Sequence, residues 1–222
     1  FNGEDWARSV FEERRADILP DMVFGYYSGN SRRLERLFDE HQRRYYDAIK
    51  TNENAEACRL ALVERRLFYC RPIHGVFALA AFFGFPDHEV LSLLGEKLRI
   101  GRFGSALAHF REPWFAKSKS RTVRNPYTLW GAAGPAGACA RAWLDVAYHP
   151  IDLEDNPKDD YRDKDERESQ LACFVRSEKD MARLAANYAN DSEMFTALEA
   201  ADISDLFRDL LLWVSRPDDE GE

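Results

Sequence analysis

The residues with the clearest capacity for chemistry are Asp159-Asp160-Tyr161-Arg162-Asp163. On a helix, carboxylates spaced in this way sit one turn apart and can converge on magnesium ions that grip a diphosphate. Here Arg162 and Lys164 interleave the acids, and Pro157-Lys158 stands just before them. A second metal motif is expected well downstream, and Asn190-Asp191 lacks the Ser or Thr and the Glu at the required offsets. A solvated charged turn is the simpler reading. Asp159, Asp163 and Asp165 also suggest a calcium loop, but no glycine occupies the sharp-turn position that such a loop needs.

The aspartate motif is that of helical isoprenoid synthases, yet the chain is short for that fold. Arg102 and His109 form a second constellation, with the loose spacing by which helical HEPN ribonucleases polarise an RNA 2′-hydroxyl and phosphate. Phe103 stands where a polar residue is expected, so packing of His109 beside Phe110 is the simpler account. His41, His74, His88 and His149 have no partner at i, i+4 and no ExxH occurs, which supports neither a zincin nor a di-iron bundle. Serines lack a GxSxG elbow and glycines lack a phosphate-loop pattern. No catalytic residue, metal or cofactor is expected.

Cys58, Cys70, Cys139 and Cys173 form no CxxC pair and each lies in an apolar stretch, as buried reduced thiols do. That usage fits a reducing cytoplasm. The chain does not open on a basic segment followed by an apolar run, so no signal peptide is expected. The run from Ile73 to Phe85 is too short to span a bilayer. A net charge of -8 argues against nucleic acid as the main partner and permits a basic protein.

The elements that must position these residues read as helices. Leu34, Leu37, Phe38, His41, Tyr45, Ala48 and Ile49 step by three and four, after a turn and cap at Ser28-Gly29-Asn30-Ser31. Helices are also expected over 56–68, 73–83 (apolar nearly all round and therefore central), 88–98 behind Pro86-Asp87, and 105–110. Residues 117–125 read as a basic loop; helices over 126–133 and 135–148 each carry proline in the first turn. A long helix over 166–188, a short one capped by Asp191 or Ser192, and a last one over 203–214 capped by Asp202 and Asp205 complete the set. With no alternating run detected, the expected fold is all-α, a compact bundle of about ten helices with no sheet. Residues 1–222 would form one domain, divisible into helical subdomains 1–70 and 71–215, with 216–222 a disordered tail.

Tyr26-Tyr27-Ser28-Gly29, FYCRPIHGVFALAAFFGFPDHEVLSLL (68–94) and NPYTLWGAAGPAGACARAWLDVAYHP (125–150) resemble, in order and composition, the helices of PoNi-type immunity proteins. These protect bacteria from PoNe-type DNase toxins of polymorphic and type VI secretion systems. The resemblance covers about residues 20–150. Beyond Pro150 the family's Gly-Tyr-Trp segment is missing and DDYRDKDERESQLACF stands there instead. What the resemblance implies is a non-enzymatic, cytoplasmic protein that binds a basic nuclease toxin and contacts neither nucleic acid nor membrane.

Charge is compatible with that role. Between Asp152 and Glu168 nine acidic residues face four basic ones. An acidic surface docking on a nuclease's cationic groove would speed encounter and block the groove without chemistry. The expected partner-binding set is Asp152, Glu154, Asp155, Asp159, Asp160, Asp163 and Asp165, with Trp114 as an aromatic anchor beside a loop. The alternatives are a metal-dependent enzyme using Asp159, Asp160 and Asp163, or a helical scaffold or regulatory protein with another partner.

Overall fold

A computed structural model describes residues 5–20, 22–26, 33–49, 54, 57–58, 67–114, 116, 125–153, 156–157 and 167–217. The expected turn at 28–31, most of the helix over 56–68, the loop at 117–124 and the tail at 218–222 lie outside them.

The fold is mixed α and β, which corrects the all-α expectation. Its centre is an antiparallel sheet of β3 (Phe103–Arg111), β4 (Ile151–Asp152), β7 (Gln170–Val175) and β8 (Phe207–Val214), in the order β4-β7-β3-β8. β1 (Val23–Tyr26) and β2 (Leu67–Cys70) form a separate parallel pair, and β5 (Asn156–Pro157) pairs antiparallel with β6 (Arg167–Glu168).

Each misread segment has a physical reason. In β3, Ala106, Ala108 and Phe110 point inward while Ser105, Leu107, His109 and Arg111 alternate with them. The period of two is present, but alanines and a bulge between Phe103 and Ser105 blur it. Ala106, Ala108 and Phe110 lie opposite Val175, Cys173 and Leu171. Five of the six β7 residues are buried, so no polar alternation marks it as a strand. The expected helix over 166–188 is therefore β6, β7 and then α7 (Glu178–Ala185), which starts behind the cap of Ser177 Oγ on the Asp180 N–H. In β8 a leucine run satisfies the spacing of either element, and the partner β3 decides which forms.

Of the helices expected in the middle of the chain, those over 73–83, 88–98 and 135–148 have counterparts, while 105–110 lies in β3 and Pro126–Gly131 is a 3₁₀ turn. α4 (Pro72–Gly84) is central, with Phe77, Ala80 and Ala81 buried. α5 (His88–Leu93) begins at Asp87, whose carboxylate accepts from the Glu89 and Val90 N–H groups at 2.8 and 3.3 Å. α6 (Gly134–Val146) buries Cys139, Ala140 and Trp143, and α8 (Asp191–Ile203) starts under an Asn190 cap. α4, α6, α7 and α8 share one core with the inward residues of the sheet. At the N-terminal side, α1 (Arg8–Glu13) and α2 (Arg15–Ile18) precede β1. α3 (Asp39–Ile49) seats Tyr45 and Ile49 against Ala200 and Ile203 of α8. Leu34 and Leu37 fall outside α3 and are exposed, which shortens the expected stripe.

One turn is tightly constrained. Leu129 (φ 51°) and Trp130 (φ 52°) are both left-handed and fully buried, followed by Gly131 (φ 71°). Such conformations cost about 1–3 kcal/mol each in non-glycine residues, so packing must over-determine them. The Trp130 indole donates to Ser169 Oγ at 3.1 Å, tying the turn to the start of β7. Behind it, a Cβ on Gly137 would lie 2.4 Å from the Ala132 carbonyl oxygen. Gly137→Ala should therefore destabilise the protein by about 1–3 kcal/mol or more, despite alanine's helix preference. Urea unfolding of the variant checks this, and an unchanged midpoint would contradict the turn's geometry.

Candidate partner-binding site

One end of the sheet gathers most of the polar structure. β3 ends there, β7 begins there, and β4 leaves it: the N–H of Glu112 donates to the Ser169 carbonyl and that of Leu153 to the Gln170 carbonyl, both at 2.9 Å. The Arg111 N–H donates to the carbonyl of Leu206, just before β8, at 3.0 Å. Trp114 follows directly and is 60% exposed. Asp152 lies at the same end, half-buried, opposite Leu171 in register. Glu154, Asp155, Asp159, Asp160, Asp163 and Asp165 lie outside the described residues. In chain order they belong to the connection between Asp152 and β7, with Asp159, Asp160, Asp163 and Asp165 between β5 and β6. Asp152 and Trp114 are the two members of the expected set among the described residues; Asp152 stands on the edge strand β4, two strands away from β3, and does not line the surface beside Trp114.

Beside Trp114 opens a cleft of about 480 Å³, lined also by Glu35, Asp39, Gln42, Arg43 and Tyr46 from the α3 side and by Arg71, Asp202 and Ile203. Asp202 takes the Arg71 guanidinium, and Asp205 takes that of Arg111. Burial pushes the Asp202 carboxyl above its ordinary value; the positive charges of Arg71 and Arg111 pull it back without cancelling the effect. Deeper in, His74 and Glu199 are each 2% exposed, with Nε2 and Oε1 3.9 Å apart. His74 Nδ1 accepts from the Arg71 N–H at 3.0 Å, so in the neutral ring the proton sits on Nε2, toward Glu199. Phe68, Phe77 and Phe195 surround the imidazole.

Sequence reasoning missed this cluster. Glu199 and Asp202 are three apart on α8 and share a face, and Asp205 follows at the next step; the Asp202/Asp205 pair was expected to cap a helix. Asp202 lies instead in the last turns of α8, and Asp205 adopts φ 61° immediately after it. The basic partners come from far along the chain: Arg71–Asp202 spans 131 positions and Arg111–Asp205 spans 94. No local pattern announces such contacts.

Arg102 and His109 do not form the ribonuclease pair that their spacing suggests. They lie at opposite ends of β3, roughly 23 Å apart at about 3.3 Å per residue. His109 instead lies opposite Asp209 on β8. Desolvation lowers its pKa from 6.5, with Arg208 acting in the same direction and Asp209 opposing. The unfolded chain therefore binds a proton at His109 before the folded one does. Stability is unaffected by this group above pH 6.5 and falls as pH drops toward the lowered folded value. His109→Gln should shrink the loss of thermal stability between pH 7.5 and 5, measured by circular dichroism; an equal loss in both proteins would refute the assignment.

All four cysteines are free thiols, and burial pushes Cys139 and Cys173 up to about 12, so neither is a nucleophile at neutral pH. Among the described residues, no group of three or more His, Cys, Asp or Glu could hold a metal ion, and no helix is long and apolar enough to cross a membrane. Comparison with protein-family models, with curated proteins and with solved structures found no match.

Proposed function

We propose that this chain is a non-enzymatic immunity protein that binds and neutralises a bacterial toxin, a nuclease effector of a polymorphic or type VI secretion system, in the cytoplasm. Three features at one end of the sheet support the reading. These are the exposed Trp114, the cleft beside it, and Asp152 at the root of the acidic connection. An exposed tryptophan beside a concave surface is the kind of anchor around which protein interfaces concentrate their energy. The acidic residues between Asp152 and Glu168 would steer a cationic partner toward the protein.

The test is co-expression with the toxin encoded beside its gene. The two proteins should purify together as a stoichiometric complex, and cells making the toxin should survive only when this chain is present. Failure of both association and protection ends the proposal.

A further inference from the structure

We draw no further inference here: the strongest candidate, the cleft between α3 and the end of α8 beside Trp114, belongs to the partner-binding site already described, and its lining of Glu35, Asp39 and Asp202 with Arg43 and Arg71 carries both charges and so selects no occupant of its own.

Discussion

Glu199→Ala should cost about 1–3 kcal/mol of folding stability, because it leaves the buried His74 Nε2 facing an empty position. Both side chains are 2% exposed and the His74 ring packs against Phe68 and Phe195, so water has little access to replace the lost carboxylate. Typical domains are stable by about 5–15 kcal/mol, so the variant would lose a sizeable part of its margin. The double variant His74→Phe/Glu199→Leu should lose much less than the two single changes together, since it removes both polar partners at once. Some cost remains, because the Arg71 N–H then loses its Nδ1 acceptor. Guanidinium unfolding of the four proteins measures the coupling. A Glu199→Ala cost well below about 1 kcal/mol would show that the pair does not hold α4 to α8.

The second large effect is kinetic. Replacing Asp159, Asp160 and Asp163 by lysine moves the net charge from -8 to -2, since each change exchanges a negative for a positive group. Association with the toxin should slow by about 10- to 100-fold at low salt, because steering by the summed field sets the encounter rate. The dependence of the on-rate on ionic strength should flatten with it, since screening then has less attraction to remove. Stopped-flow mixing with the toxin domain over a salt series reads both quantities. Unchanged on-rates would place the interface away from this segment.

These two predictions rest on different kinds of legibility. The acidic run is visible by composition, whereas the exposure of Trp114, which stands between Pro113 and Phe115, comes from the structure. The His74–Glu199 and Arg71–Asp202 pairs are not visible in the sequence either, because each joins an element from the first third of the chain to α8. Such pairs form only once α4 and α8 are packed side by side.

By itself, the sequence determined the helices whose signals are local: α4 from its apolar run, α5 from the Asp87 cap, and α6 from its first-turn proline. It also determined the burial of Cys58, Cys139 and Cys173 as free thiols, though not that Cys70 is only partly buried, and the sign of its charge. Only the tertiary structure decided that Phe103–Arg111, Gln170–Val175 and Phe207–Val214 are strands. Their residues suit either element: alanines in the first, an uninterrupted buried run in the second, leucines at ambiguous spacing in the third. A helix satisfies its hydrogen bonds within its own segment, so short-range pattern can announce it. A strand's bonds lie with partners far along the chain, and here β3, at the centre of the ladder, turns two helix-like segments into its neighbours.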